Sequence, residues 1–487
     1  MSPNGERAAT RAAACGRCAG LRAALRALLW SALAASLVAG GFVAFALHVL
    51  KAQPGEWSQR VRLGPIEREL GVAPLIRVAT HPLGLAALDG RTIDGRRLGM
   101  RWGRWRLERR AADTLVATCA PCSVELAALG ASALVLPRAQ LRLTRAEVDR
   151  YRGELVLGER EGEALRIHWQ AKLAPEGLAI DAELPPQPIA RAAQALGAAQ
   201  VPELGRARID GTLRGGFAWK LPGGAIKPSI QLAGFGVAGL GTEALLDAAL
   251  PAGCGRAASK APRVVGWLPR AVVAAEDQRF FEHPGYDLAQ LLAAWSANAG
   301  ADQGAGHAAA GADDGSTPAG ADEGSTPAGA DDGSAPAGVN DGSTPAGVQG
   351  ASTLTQQLAK RVFVGDERSA ARKLRELLYA VEMERTLGKA RILQLYLRLA
   401  PWGGGLCGAD AAARAHLQKS VERLTPLEAA WLASLLRDGG RALAQGSIDR
   451  GRLVFVLQGM RGPLPLERRA EQIERARTWL PPALRER

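Results

Sequence analysis

The sequence predicts a multi-domain chain with an N-terminal transmembrane helix, a β-rich accessory domain and a mostly α-helical C-terminal domain. Three observations support this: an apolar run near the start, period-two alternation through residues 51–250, and helical spacing of apolar residues further on. A length of 487 residues is enough for two to four domains. The net charge of +13 suits anionic partners in general.

The N-terminal sequence predicts the cellular compartment in which most of the protein lies. Residues 1–27 are rich in arginine and are predicted to form a cytoplasmic basic tail, and residues 28–50 are almost wholly apolar. A run of this length can cross a bilayer, and positive charge before it predicts that the remainder is exported. A cleaved signal peptide is the alternative. We expect a retained transmembrane anchor at residues 28–50.

Residues 51–250 are expected to form the β-rich accessory domain. Residues 165–173 alternate between apolar and polar side chains, and the alternation resumes at 178–184 after the turn residues Pro175, Glu176 and Gly177. This pattern predicts an antiparallel hairpin with one buried face. Cys119 and Cys122 are either a local disulfide or two structural thiols.

A linker at 251–263 separates this domain from a second one at 264–440, which a long insert interrupts. The insert, residues 299–348, contains four acidic nonapeptides between Gly311 and Ala346. These repeats hold almost no large apolar side chains and cannot build a core, so the insert is predicted to be disordered. Residues 441–487 are expected to form a helical extension.

The first motif is an acid pair at the end of an apolar segment. Glu276 and Asp277 follow residues 271–275, and Phe280, His283 and Gly285 come next. We predict a helix whose buried face carries Glu276 to the edge of a cleft. A carboxylate in that setting is a candidate general base. A surface acid pair on an ordinary amphipathic helix is the simpler interpretation of this stretch alone.

The second motif is a polar helix start at residues 350–360. Ser352 is the predicted N-cap. Thr353, Gln357 and Lys360 have the spacing of one helical face and would offer a hydroxyl, an amide and an ammonium group, and Gln356 precedes Gln357. Such groups suit sugar hydroxyls and phosphate oxygens. A solvated polar face is the alternative.

The third motif places two cations beside a second glutamate. Arg372 and Glu376 are four residues apart on a predicted helix, and Lys373 lies between them. An intrahelical salt bridge is one interpretation, and it would contribute only a few tenths of a kcal/mol. An anion site is the other, since paired cations bind phosphates well.

These motifs, in this order, resemble those of the family 51 peptidoglycan glycosyltransferases, which polymerise lipid II into glycan strands. The chain carries no penicillin-binding transpeptidase motifs, so the resemblance is to the monofunctional enzymes. It implies a lysozyme-like glycosyltransferase domain that makes cell wall, acts on the periplasmic side of the bacterial inner membrane and thereby supports cell shape.

The resemblance also implies roles for individual residues. Glu276 and Glu376 would be the catalytic carboxylates, with Glu276 as the general base of an inverting transfer that releases undecaprenyl pyrophosphate. The substrate-binding residues would be Asp277, Phe280, His283, Ser352, Thr353, Gln356, Gln357, Lys360, Arg372 and Lys373. In some members of the family, a divalent metal ion, Mg or Mn, helps to stabilise the pyrophosphate leaving group. The resemblance therefore makes Glu376 the candidate metal ligand.

The expected partners are lipid II, the growing glycan strand and the membrane. The accessory domain at 51–250 is interpreted as a spacer or as a docking surface for cell-wall synthesis proteins. No nucleic-acid partner is expected, because the chain lacks the motifs of such proteins. Two alternatives stay open: a non-catalytic cell-wall scaffold of the same fold, and a lysozyme-like lytic enzyme that uses the same first carboxylate.

Overall fold

The computed structural model of the 487-residue chain describes most of the sequence outside the N-terminus and the insert. The described residues are 30, 51–63, 66–94, 103–124, 134–158, 164–197, 201–224, 226–246, 265–293, 352–365, 370–403, 405–437, 441–462 and 465–485. The predicted insert at 299–348 lies outside these ranges, as do the predicted tail at 1–27 and the predicted linker at 251–263, so their expected conformations stay predictions.

The first part of the chain forms antiparallel β-structure. Its strands are β1 Ser58–Leu63, β2 Ile66–Gly71, β3 Thr92–Asp94, β4 Arg104–Ala111, β5 Thr114–Cys119, β6 Cys122–Val124, β7 Leu134–Leu136, β8 Ala139–Glu147, β9 Arg150–Leu157, β10 Leu165–Ala174, β11 Gly177–Pro188, β12 Arg208–Leu221 and β13 Lys227–Ala238. Nine of them make one sheet in the order β13-β12-β11-β10-β9-β8-β5-β4-β3, and β1-β2 and β6-β7 form two-stranded sheets. We call residues 51–246 the sheet domain.

The hairpin predicted at 165–184 is confirmed. Strands β10 and β11 pair antiparallel, with Ala174 opposite Gly177 at the turn. The alternation puts Ala171 and Leu173 into a small core with Tyr151 of β9 and Ala73. Cys119 and Cys122 form a disulfide, which confirms the first of the two interpretations of this pair.

Helices make up the C-terminal part of the described chain and flank the sheet. The sheet domain contains Val72–Ala79, Pro82–Leu88 and Ile189–Gly197; the C-terminal part contains Leu268–Glu276, Leu354–Ala359, Ala370–Thr386, Gly388–Leu399, Ala409–Leu417, Pro426–Ser434, Arg441–Ala444, Arg450–Gly459, Leu466–Ala476 and Pro482–Arg485. We call residues 265–485 the helical domain. A capping box formed by Thr425 and Glu428 opens Pro426–Ser434.

One apolar core runs through the helical domain and reaches into the sheet domain. Trp402, Trp431 and Tyr396 are among its largest fully buried side chains. Val237 and Leu240, at the end of β13, belong to the same buried cluster. The two domains therefore bury apolar surface against each other, which the sequence did not indicate.

The predicted fold class needs one correction, because its N-terminal transmembrane helix is not supported. Within the described ranges, no helix has the length and the apolar character needed to cross a bilayer. The helix Ala370–Thr386 has 17 residues and carries several charges, whereas a span needs about 20 mostly apolar residues. The proposed anchor at 28–50 lies outside the described residues except for Trp30. The architecture is a large β-sheet region followed by a helical domain.

Candidate active site

Glu276 is the last residue of the helix Leu268–Glu276. The helix is built from small and branched apolar residues, of which Ala271, Val272 and Ala274 are buried. It ends at Glu276, because Asp277 adopts a non-helical conformation. Glu276 thus lies at the helix terminus with 12% of its side chain exposed.

Asp277 faces inward and holds two segments together. Its carboxylate lies 3.0 Å from Nε2 of His283 and accepts a 2.9 Å hydrogen bond from the backbone N–H of Leu354. Nδ1 of His283 accepts from the N–H of Gly285, so Nε2 carries the proton that faces Asp277. Asp277 and His283 are both buried. They connect the second motif to the first.

Phe280 and Gly285 are also structural in this arrangement. Phe280 is fully buried, and Nζ of Lys389 lies 4.4 Å from the centre of its ring. Gly285 has φ of 89°, and a Cβ at this position would come within 2.8 Å of the Ala380 carbonyl oxygen. Only glycine fits there without a backbone shift.

The second motif forms the short helix Leu354–Ala359. Its N-cap is Thr353 and not Ser352, since the Thr353 hydroxyl accepts from the N–H of Gln356 and the Gln356 side chain accepts from the N–H of Thr353. The Thr353 hydroxyl also donates to the Gly285 carbonyl at 2.7 Å. Thr353 and Gln356 are buried in this capping box. Their role here is to fix the helix start.

Gln357 points toward the catalytic candidate. Its Nε2 donates to Glu276 at 3.0 Å, and its Oε1 accepts from the hydroxyl of Tyr396 at 2.9 Å. Tyr396 is buried in the core, and burial, together with the nearby charge of Glu276, raises the pKa of its hydroxyl above the ordinary value. The tyrosine therefore stays a donor, which fixes the orientation of the Gln357 amide.

Arg452 approaches Glu276 from the opposite side. Its Nη2 lies 3.4 Å from Oε1 of Glu276 and donates to the Ala275 carbonyl oxygen. The guanidinium stacks over Phe455, 5.0 Å from the ring centre. Burial lowers the pKa of Arg452, and the Glu276 carboxylate opposes this effect. The Arg452 cation therefore lies beside the Glu276 carboxylate.

Glu376 lies on the long helix Ala370–Thr386, and only 1% of its side chain is exposed. One carboxylate oxygen pairs with Nη1 of Arg372, and the other accepts a 2.8 Å bond from Nζ of Lys373. Nζ of Lys373 also donates to the Ser352 hydroxyl at 2.6 Å. The ion pair predicted between Arg372 and Glu376 is confirmed, but it is buried and not a surface pair.

The remaining residue of the second motif, Lys360, begins a one-turn π-helical segment, Lys360–Val364, directly after the short helix. Its side chain is half-buried. The sequence predicted that Thr353, Gln357 and Lys360 share one exposed polar face of the helix. In the structure, Thr353 is instead buried as the N-cap of this helix. We call Ser352, Arg372, Lys373 and Glu376 the cation cluster.

The residues around Glu376 do not fit a divalent metal. Both carboxylate oxygens are taken by cations, and a metal ion would add positive charge beside them. Among the residues that the structure describes, no three His, Cys, Asp or Glu side chains form a group that could hold a metal ion.

The short helix Leu354–Ala359 and the residue before it connect the surroundings of the two glutamates. Gln357 on the helix contacts Glu276, and Ser352, just before it, contacts Lys373 beside Glu376. Sequence reasoning did not include Tyr396 or Arg452 in the site. Tyr396 could have been noticed as a hydroxyl on the buried stripe of its helix. Arg452 gave no local signal, because only the fold brings it to Glu276.

Comparison with known proteins confirms the resemblance found in the sequence. Residues 332–460 match the family model described as transglycosylase. This range contains the second and third motifs and Arg452. Glu276 lies upstream of it, so its role as the general base stays a prediction.

Several curated relatives carry the name biosynthetic peptidoglycan transglycosylase. The relative from Thiobacillus denitrificans is 34% identical over 174 residues, which cover 36% of this chain and 56% of the relative. The relative from Aromatoleum aromaticum is 32% identical over 196 residues, which cover 39% and 66%. The one from Nitrosomonas europaea is 47% identical over 85 residues, which cover 18% and 35%. The chain spans about half the length of the first two curated relatives it matches.

Proposed function

We propose that the protein is a peptidoglycan glycosyltransferase that polymerises lipid II into glycan strands on the periplasmic side of the membrane. The proposal combines the transglycosylase match, the name shared by the curated relatives and the site geometry. The observation that carries it is the short helix Leu354–Ala359, which joins a partly exposed glutamate on one side to a cation cluster on the other.

Glu276 would act as the general base. Its two oxygens accept hydrogen bonds from Gln357 and Arg452, and a carboxylate has further lone pairs for an incoming hydroxyl. The carboxylate takes the proton of the acceptor's GlcNAc 4-hydroxyl, and that oxygen attacks C1 of the donor's MurNAc. The bond from C1 to the lipid pyrophosphate breaks, with inversion at C1.

The cation cluster would receive the leaving group. Lys373 uses two N–H groups on Ser352 and Glu376, and an ammonium has a third. Its side chain is 37% exposed, whereas Glu376 below it is buried. Glu376 would hold Arg372 and Lys373 in place, so that they can stabilise the charge that develops on the pyrophosphate. Undecaprenyl pyrophosphate leaves with that charge.

The lysozyme-like lytic alternative would use Glu276 in the same place. Hydrolysis of a glycan releases no pyrophosphate and gives no reason for the arrangement of Arg372, Lys373 and Ser352 around Glu376. A non-catalytic scaffold would not require the ordered contacts of Gln357 with Tyr396 and Glu276. The geometry therefore favours transfer over both alternatives.

One experiment separates the three functions. The purified protein is incubated with labelled lipid II and, separately, with preformed glycan. We expect a labelled polymer from lipid II and no cleavage of the glycan. Cleavage without polymer would establish the lytic alternative, and neither product would favour the scaffold.

A further inference from the structure

The long helix that carries the cation cluster is attached to the sheet domain along one face. Arg375, Tyr379, Glu382 and Thr386 each contact the sheet domain, and their spacing of four, three and four residues is that of a single helical stripe. Arg372 and Glu376 lie on the neighbouring face of the same helix. The two faces can therefore move only together.

The first contact is a buried ion pair. Nε of Arg375 donates to Glu203 at 2.8 Å, and only 3% of the Glu203 side chain is exposed. A carboxylate buried to this degree is strongly destabilising without its partner. A rotation of the helix by one residue, about 100°, would leave Glu203 unpaired. The pair therefore fixes the rotation of the helix about its axis.

The next contacts continue along the stripe. Nη2 of Arg206 donates to the Tyr379 hydroxyl at 2.7 Å, and the backbone N–H of Leu240 donates to the buried Glu382 at 2.9 Å. The Tyr379 ring stacks on Phe363, with centroids 4.3 Å apart. Phe363 belongs to the segment Lys360–Val364. The Tyr379 side chain therefore connects the sheet domain to this segment.

We propose that the sheet domain is a positioning element for the leaving-group site, with Glu203 and Arg375 as its main pair; this inference rests on the proposed function. The pair sets the rotation of Ala370–Thr386, and this rotation puts Lys373 where it contacts both Ser352 and Glu376. Transfer is sensitive to such placement, because a displacement of about 1 Å can cost on the order of 100-fold in rate. A domain interpreted from the sequence as a spacer or docking surface thereby takes part in the reaction.

The test compares Glu203→Gln with a control at the same domain junction. Arg391 donates from the helix Gly388–Leu399 to the Leu245 carbonyl oxygen of the sheet domain, outside the stripe. Arg391→Gln removes this contact. Two readouts are taken on the full chain: hydrogen exchange of the amides at 370–386, and the maximal rate of lipid II polymerisation.

We expect Glu203→Gln to speed exchange at 370–386 and to lower the maximal rate about tenfold, in keeping with a displacement of less than 1 Å. Arg391→Gln should change neither by a comparable amount. Tyr379→Phe, which keeps the ring on Phe363 and loses the bond from Arg206, is a milder second variant. It should shift both readouts in the same direction by less.

Unchanged hydrogen exchange at 370–386 in Glu203→Gln would overturn the inference. Faster exchange would also overturn it if Glu203→Gln and Arg391→Gln polymerise lipid II at equal maximal rates. A wild-type protein that makes no polymer would defeat the proposed function instead. In that case, affinity for inorganic pyrophosphate replaces the rate: weaker binding by Glu203→Gln than by Arg391→Gln supports the positioning role, and equal binding contradicts it.

Discussion

Glu276 and Glu376 are the same residue type in opposite surroundings. Glu276 ends a helix with 12% of its side chain exposed and accepts from an amide and from one arginine. Glu376 sits inside a helix with 1% exposed and is paired with both Arg372 and Lys373. Under the proposed function, Glu276 would take the acceptor's proton, whereas Glu376 would hold Arg372 and Lys373 in place. Environment assigns the two roles.

The largest effect should follow from removing the proton acceptor. Glu276→Gln keeps the size of the side chain but cannot take the acceptor's proton. We expect polymerisation to fall by at least about 100-fold, with the fold retained. The matched control is Glu282→Gln, an exposed glutamate in the same segment that pairs with Arg279 and Arg461. Near-normal polymerisation by Glu276→Gln would remove the base from the mechanism.

Glu376→Gln should affect both stability and rate. Loss of a buried carboxylate leaves two cations uncompensated, and we expect the free energy of unfolding to fall by about 3 kcal/mol. The rate should fall about tenfold or more, since the cations lose their anchor. Chemical denaturation and initial rates measure the two effects.

Glu428→Gln is the control for that variant, because Glu428 pairs with Lys419 at 2.7 Å with 12% of its side chain exposed and lies outside the cation cluster. It should lower stability while sparing the rate of the folded fraction. Equal rate losses in both variants would mean that Glu376 is only a structural residue of the helix.

Asp277 extends the comparison of carboxylates in different surroundings, because it adjoins Glu276 in the sequence but its side chain is buried. Asp277→Ala leaves the Leu354 N–H and the His283 ring without their acceptor. We expect a loss of about 2 kcal/mol in unfolding free energy, measured by urea denaturation. A fully stable variant with no activity would instead give Asp277 a chemical role.

The smallest effect concerns acid stability, away from both glutamates. Burial lowers the pKa of His416, which packs edge-on against Trp431. The unfolded chain then binds more protons, so stability is fully present above the unfolded pKa of about 6.5 and declines as pH falls through the folded value. His416→Phe should reduce the loss of unfolding free energy between pH 7.5 and 5.5. Equal losses in the variant and the wild type would exclude His416 as a cause.

The sequence predicted the parts of the fold that depend on local patterns. Alternation at 165–173 and the turn at 175–177 predicted the β10–β11 hairpin. The docking of the sheet domain on the long helix depends on residues far apart in sequence, such as Glu203 and Arg375. No local pattern encodes such a pair.

The site was predicted in the same uneven way. The sequence identified Glu276, Gln357 and Glu376 as candidates. In the structure, Gln357 lies on the short helix and contacts Glu276. Ser352, just before this helix, contacts Lys373 beside Glu376. Asp277 and Thr353 were assigned to substrate binding, but they are buried in structural hydrogen bonds. Residue type and spacing do not reveal which way a polar side chain turns.

The most direct test of the division of roles is equilibrium binding of undecaprenyl pyrophosphate to wild type, Glu276→Gln and Lys373→Ala. A charge-assisted contact contributes about 1.5 kcal/mol or more, which corresponds to roughly tenfold in affinity. We predict that Lys373→Ala weakens binding by about this factor and that Glu276→Gln binds like the wild type. Equal losses in both variants, or unchanged binding by Lys373→Ala, would contradict separate sites for the base and the leaving group.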